Sequence, residues 1–522
     1  MKSKSDSHYI YFVVLLGLAI RLIAWANTYV VNPDGTLYIN QAKAIYYGYK
    51  EGLFCGYSFV ANYPVMIAGV YGIVQDWIFS ARFVSLLFGT AALIPLYLLL
   101  RRFFDTQISA LCTLVFGMLP IFVGSSVDMI REPVCWFFLI LGLYFYVRAS
   151  ENSHSTSYQM LFSSLSFLMA AWARIEVSLF IVVSLLYLLL VNQKERIKKF
   201  IYFAMPLIFI IILLALYIYI FRESTLKTHL RFNLFFDRLI FFYVQYNYLL
   251  DTLKHEAFFH RHQMLGFFIS AARTNAWLVA IGTLLNRFLE TLLYLFAFVL
   301  AIGLTGIWRR IKQNIQVRYL VVLSLCSILS LYIQIVSTWW IEYRHMYFLI
   351  IPSFLIIGYG IERIHLYLIR RFEIRRIVAF SVLALLIILP TLPKNLHPRD
   401  FDKIIFKEIG ESIVKHKSYP GAAYISTPQN IHQWISFYAN LSYQGDFCPL
   451  PVKANCWEFN EENYDQFMRH LTENRIKYLV WTERQWPADK IDFSQVQRHL
   501  NLKELGRWNH PMTGEIILFE IV

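Results

Sequence analysis

Runs of about 20 apolar residues recur along this chain, and that length is what it takes to cross roughly 30 Å of hydrocarbon. They fall at about 9–26, 77–100, 108–127, 133–149, 158–173, 175–191, 200–221, 276–306, 319–338, 346–368 and 377–393. A chain with about eleven such runs has one economical solution, a polytopic bundle of transmembrane helices, because lipid leaves every backbone polar group to be satisfied inside its own segment. Composition agrees. Only 16% of the 522 residues are charged, against roughly a quarter in soluble proteins. Aromatic residues reach 17%, which suits interfacial belts.

Charge gives the bundle a direction. Lys2 and Lys4 precede the first run. Basic clusters then follow the second (Arg101, Arg102), fourth (Arg148), sixth (Lys194, Arg196, Lys198, Lys199), eighth (Arg309, Arg310, Lys312, Arg318) and tenth (Arg370, Arg371, Arg375, Arg376). Every second connection is basic, so the N-terminus is expected in the cytoplasm and the C-terminus outside. The formal charge is +14, yet from Asn395 onward there are about 14 basic and 16 acidic residues, so the excess belongs to the short inner loops. Spread in that way it makes no nucleic-acid patch. The first run resembles a cleavable signal peptide, with Ala24-Trp25-Ala26 at its end, but Arg21 interrupts it and ten further runs follow. It reads as an uncleaved anchor.

Two parts follow from this layout: residues 1–394, a mainly α transmembrane part with an external loop 28–76 and an external segment 222–275, and residues 395–522, a small extracytoplasmic α/β domain. In the latter, 422–426 and 477–482 read as strands, 431–439 and 462–473 as helices, and 506–510 with 515–521 as a hairpin about Pro511-Met512-Thr513-Gly514. Cys112, Cys135 and Cys326 fall in spans; Cys448 and Cys456 lie in the external domain, where a disulfide would close a short loop that spacing alone does not establish. There is no P-loop, GxGxxG turn, CxxC pair or internal repeat.

Polar residues gather on the external side. Loop 28–76 opens with Asn32-Pro33-Asp34-Gly35, followed by an amphipathic pattern with Tyr38, Ala42, Ile45 and Tyr49 on one face and Asn40, Lys43, Tyr47 and Lys50 on the other. This predicts a helix lying in the membrane interface. Asp34 reads in two ways: a helix cap and turn former, or a carboxylate placed to take a proton. Asp128-Met129-Ile130-Arg131-Glu132-Pro133 lies between the third and fourth spans, and its bland reading is an Arg–Asp surface pair that helps the chain turn. Arg174-Ile175-Glu176 lies between the fifth and sixth. Trp339-Trp340-Ile341-Glu342-Tyr343-Arg344-His345 precedes the tenth. Charges so close to hydrocarbon are costly and usually line a cavity or pathway. Arginine suits a phosphate through paired parallel hydrogen bonds.

With these residues in place, the chain resembles the GT-C superfamily of membrane glycosyltransferases, in particular the branch of protein O-mannosyltransferases and the bacterial transferases that put aminoarabinose on lipid A. Arg21-Leu22 followed by Asp34-Gly35…Tyr38…Ala42 is similar to the family's first acidic loop motif. Arg131-Glu132-Pro133 stands at its second acidic motif. Trp172-Ala173-Arg174-Ile175-Glu176 resembles its Arg-containing turn, and Arg344-His345-Met346-Tyr347…Pro352 its Arg-Tyr…Pro segment. Many members carry two adjacent acids in the first loop, where this chain has Asp34 and Gly35. A divalent metal is therefore not favoured, and no metal ligand is assigned.

The resemblance implies inverting transfer, on the external face, of a sugar from a polyprenyl-phosphate-linked donor to an acceptor glycan, lipid or protein. It implies Asp34 as general base, Glu132 as a second catalytic acid that positions Arg131 or the acceptor, and Arg131, Arg344, His345, Arg174 and Lys43 as donor-binding residues. A bacterial inner membrane is the expected location. His255-Glu256…His260-Arg261-His262, in segment 222–275, offers zinc-type ligands without the HExxH spacing. The alternatives are an O-antigen polymerase or ligase, which should depend on large basic external loops, and a lipid-linked sugar flippase or transporter, which should place its charges near mid-membrane and often shows repeated halves.

Overall fold

The computed structural model describes residues 7–50, 52–57, 59–151, 156–191, 195–221, 232–261, 263–451, 464–486 and 501–522. The chain forms two compact units: Met1–Leu22 with Leu86–Ser126 and Arg131–Asn395, and Ile23–Ser85 with Val127–Ile130 and Leu396–Val522. The long first loop therefore folds in one unit with the C-terminal sheet.

Among the described residues seven helices are long and apolar enough to cross a membrane: His8–Ala26, Trp77–Leu100, Glu132–Ser150, Arg196–Tyr217, Ile315–Thr338, Tyr343–Phe372 and Arg376–Leu396. An eighth is formed if Met264–Thr274 and Ala276–Thr291, bent by 80°, act as one. Shorter apolar helices make up the rest of the bundle, and two expected spans are broken. Span 108–127 divides into Thr106–Met118 and Pro120–Ser125. Leu119, forced out of the helical region by the proline after it, has φ −59° and ψ 124°. Span 276–306 divides into Ala276–Thr291 and Leu295–Leu304, because Leu293 and Tyr294 both adopt positive φ (54° and 57°) and interrupt the helical ladder. Segment 222–275 contains helices Phe232–Phe259 and Met264–Thr274; residues 222–231 and His262 lie outside the described residues.

Small residues let the bundle close. A Cβ on Gly303 would lie 1.9 Å from the Ile356 carbonyl oxygen, and one on Gly360 2.0 Å from that of Val299. Helices Leu295–Leu304 and Tyr347–Phe372 therefore meet backbone to backbone. Arg21, fully buried, donates from Nε to Ser126 Oγ (3.0 Å) and from Nη1 to the carbonyls of Gly17 and Gly117 (2.9 Å each).

The second unit begins with the end of α1 (Ser7–Ala26), then α2 (Pro33–Tyr47), α3 (Asn62–Val74) and the start of α4 (Trp77–Ala91). Its sheet has the order β1-β2-β4-β3, from Ile425–Ser426 (β1), Tyr478–Thr482 (β2), Leu502–His510 (β3) and Gly514–Ile521 (β4). β1 and β2 are parallel and the other pairs antiparallel. Alternate residues of β2 and β4 face opposite ways. Leu479, Trp481, Ile517 and Phe519 pack with Phe467 and Leu471 of helix Tyr464–Glu473. Tyr478, Val480, Ile516 and Leu518 pack with Ile409, Ile413, Ile431 and Ile435 of helices Ile404–His416 and Gln429–Ala439. The hairpin expected at 511–514 forms there, with Gly514 at φ 72°.

Cys448 pairs with Cys55, 393 residues away, rather than with Cys456, which lies outside the described residues. The short-loop disulfide is thereby replaced by one that ties the first loop to the C-terminal domain.

Candidate active site

The first group of candidate residues sits in the second unit, at the start of α2. Asn32 precedes a proline and is extended (φ −68°, ψ 156°), as pre-proline residues are. Pro33 opens the helix, where its missing N–H costs nothing. Asn32, not Asp34, occupies the cap position, so the capping reading of Asp34 fails. Asp34 lies half-buried in the first turn, where the helix dipole favours a carboxylate.

Around this turn the backbone is held on several sides. Gln433 Nε2 donates to the Pro33 carbonyl (2.7 Å) and to Thr36 Oγ1 (2.8 Å). Trp434 Nε1 donates to the Val31 carbonyl (2.9 Å), and Val31 N–H donates to Tyr438 Oη (2.8 Å). Asn32 Oδ1 accepts from Met129 N–H (3.0 Å). A Cβ on Gly35 would come within 2.7 Å of both Asn32 Oδ1 and Met129 Cβ. The second acid of the family's first-loop pair therefore has no room here.

The amphipathic expectation for α2 is corrected. Residues 35–44 are all buried, so Asn40, Gln41 and Lys43 are enclosed along with the apolar face. Lys43 Nζ donates to the carbonyls of Asn440 (3.3 Å), Leu441 (3.1 Å) and Tyr443 (2.6 Å). An ammonium has three protons, and these acceptors take all of them. The expectation that Lys43 binds a phosphate is replaced by a role that fastens α2 to the 440–443 loop. Burial lowers its pKa to about 8.

The second group lies in the first unit. Glu132 opens helix Glu132–Ser150, with Pro133 beside it in the first turn. Its carboxylate, 2% exposed, is ion-paired with the Arg174 guanidinium, 6% exposed. Arg174 also lies 3.6 Å from Glu176, Arg344 Nε lies 4.0 Å from Glu132, and Arg344 pairs with Glu342. Arg131 adds its charge to those of Arg174 and Arg344 around Glu132. Burying a carboxylate so completely is tolerable only with such partners. Arg344 keeps a quarter of its side chain exposed and is the most accessible guanidinium of the Arg174–Arg344 pair. His345 is buried in the turn Tyr343–Met346, and its Nδ1 has no hydrogen-bond partner among the described residues.

Asp128 pairs with Arg399 (2.7 Å). Gln433, Trp434 and Tyr438, which fix the Asp34 turn, were legible only as members of a helix; Trp434 and Gln433 carry no motif. Among the described residues no group of three or more His, Cys, Asp or Glu side chains could hold a metal ion. His255 packs on the Phe259 ring (5.0 Å) and His260 Nδ1 contacts Gln263 Oε1 (3.2 Å).

The fold is similar to that of solved structures of ArnT and of an archaeal oligosaccharyltransferase. ArnT from Cupriavidus metallidurans bound to undecaprenyl phosphate has a TM-score of 0.57 and 10% identity, covering 99% of this chain and 98% of that one. The archaeal oligosaccharyltransferase AglB from Archaeoglobus fulgidus, in complex with an inhibitory peptide and a dolichol-phosphate, has a TM-score of 0.56 and 13% identity, covering 92% and 70%. At such identities the likeness shows the fold. In sequence, residues 61–219 match the family described as dolichyl-phosphate-mannose-protein mannosyltransferase. No curated protein matches the chain in sequence.

Proposed function

We propose that the protein is an integral membrane glycosyltransferase that moves a sugar from a polyprenyl-phosphate-linked donor to an acceptor hydroxyl on the extracytoplasmic face. The observation that carries this reading is Asp34. It is a half-buried carboxylate in a helical first turn that is held by Gln433, Trp434, Tyr438 and, through Asn32 Oδ1, by the Met129 N–H. Such rigidity is what a catalytic base needs. The matching mannosyltransferase segment and the GT-C fold support the donor class. So do the undecaprenyl phosphate bound to ArnT and the dolichol-phosphate bound to AglB.

In the proposed step the acceptor oxygen attacks the anomeric carbon in line, and Asp34 takes its proton. The bond from that carbon to the phosphate oxygen breaks, the configuration inverts, and polyprenyl phosphate leaves with the bonding pair. Arg344 and Arg131 bind the phosphate and stabilise its growing charge. Arg174 acts through Glu132: it holds that carboxylate, which in turn aligns the guanidiniums. His345 packs behind them as a donor-binding residue. The chain needs no metal in this scheme.

The Cys55–Cys448 disulfide supports an oxidising compartment for the second unit, since such bridges persist outside the cytoplasm. A bacterial inner membrane, with the C-terminal domain outside, fits that and the basic inner loops.

The test is transfer from a radiolabelled polyprenyl-phosphate sugar by the purified full-length protein. Asp34→Asn should lower turnover by about 10²- to 10⁴-fold, the usual worth of a positioned base. Turnover equal to the wild type removes Asp34 from the chemistry.

A further inference from the structure

The C-terminal half of α2 borders a cavity of about 750 Å³ that the proposed chemistry does not use. All of its lining residues belong to the second unit. They come from the end of α1, from α2, from α3, α4 and their junction, from helices Ile404–His416 and Gln429–Ala439, and from the 441–444 segment. The volume is in the range of small-ligand sites.

The walls are aromatic and the rim is polar. Tyr71 and Trp77, both buried, stack face to face on each other at 3.5 Å within the wall. Tyr47, whose hydroxyl lies 3.4 Å from that of Tyr71, and Tyr443 add further ring surface. Gln75, Asp76, Ser442 and Gln444 supply donors and acceptors at the rim. Gln75, at φ 60°, is the left-handed C-cap of α3, its N–H donating to the Tyr71 carbonyl (2.9 Å). Arg82 uses Nη2 on the Thr28 carbonyl (2.9 Å), while its buried Nε has no partner among the described residues.

The charges argue against an anionic ligand. Arg82 and Lys415 face the cavity together with Asp76 and Glu411, and the protons of Lys43 are committed to backbone carbonyls. Flat rings with amide, hydroxyl and mixed-sign partners suit a neutral polyhydroxylated chain, whose C–H faces stack on rings while its hydroxyls both donate and accept.

We propose that this cavity binds a saccharide, and that the acceptor of the transferase is therefore a carbohydrate chain. That the bound chain is the acceptor rests on the transferase reading; that the cavity holds a saccharide does not. Lys43 lies nine residues along α2 from Asp34, about 13 Å at the helical rise. A chain seated in the cavity must extend a few sugar residues to present its terminal hydroxyl at Asp34.

Calorimetric titration of the purified full-length protein with mannotetraose, cellotetraose and chitotetraose tests this without donor or turnover. At least one should bind saturably, and Trp77→Ala, which removes the ring that backs Tyr71 in the wall, should weaken it by about tenfold. Should Trp77→Ala not fold, the exposed pair Lys415→Ala with Gln444→Ala provides the same test, with a few-fold loss expected. Asp34→Asn should bind the tetrasaccharide as the wild type does while losing transfer, so a failed base and a failed cavity give different results. Absence of binding by all three tetrasaccharides overturns the proposal. So does binding of inorganic phosphate or phosphatidylglycerol vesicles that the same substitutions abolish, which would make the cavity an anion or headgroup site.

Discussion

Arg174 and Lys43 are both buried cations, and the two units satisfy them in opposite ways. Arg174 is matched by carboxylates, Glu132 above all, and the pair stands among further arginines. Lys43 is caged by three neutral carbonyls and has no carboxylate among these contacts. The first arrangement depends on its partner's charge, because removing one member strands the other in a poorly solvated place. The second depends on backbone position, because its three acceptors are main-chain carbonyls. A charged cluster that keeps one accessible guanidinium, Arg344, is suited to gripping an anion; a closed carbonyl cage is suited to fixing a helix.

The largest expected difference is in Glu132→Gln. Breaking a buried pair should cost about 3–5 kcal/mol, read as a lowered unfolding midpoint of the purified chain, and Arg174→Met added to it should restore part of the loss. A cost as small as that of a surface pair would show that the cluster is solvated. Next comes the staple of the Lys43 unit. Cys55→Ser with Cys448→Ser should lower stability by about 2–4 kcal/mol and open loop 28–76 to limited proteolysis; unchanged proteolysis would show that the carbonyl cage and the Gln433–Trp434 clamp hold α2 alone. Lys43→Met should cost less, about 1–3 kcal/mol, since it strands carbonyls rather than a charge. If it costs more than Glu132→Gln, the comparison is inverted.

The smallest effect is a pH dependence. Burial lowers Lys43 from 10.5 to about 8, so above pH 8 the folded chain releases a proton that the unfolded chain still holds. The unfolded state then binds more protons, and stability rises with pH through that window, by about 1 kcal/mol between pH 8 and pH 9. Unfolding midpoints across this range should show the rise in the wild type and not in Lys43→Met.

What sequence revealed and what it hid have physical reasons. Apolar runs and the Pro511–Gly514 hairpin are written locally, in composition and in residues with fixed backbone preferences. The enclosure of α2 was not, because the groups covering it, such as Tyr438 and the 440–443 carbonyls, lie about 400 residues downstream. Its Lys and Asn face looked solvent-directed for that reason. The Cys55–Cys448 bridge was hidden in the same way. The break at Leu293-Tyr294 has no glycine or proline to announce it. The motifs did bring out Glu132, Arg174 and Arg344, which the structure gathers in one cluster, but not that Arg174 is spent on Glu132.

The central claim divides the labour: Asp34 moves the proton, and Arg344 with Arg131 holds the phosphate. Equilibrium binding of undecaprenyl phosphate to the purified full-length protein tests it most directly. Asp34→Asn should bind that lipid as tightly as the wild type, and Arg344→Ala should bind it at least about tenfold more weakly, the loss of one charge-assisted contact. Undiminished binding by Arg344→Ala, or binding abolished by Asp34→Asn, would contradict the account.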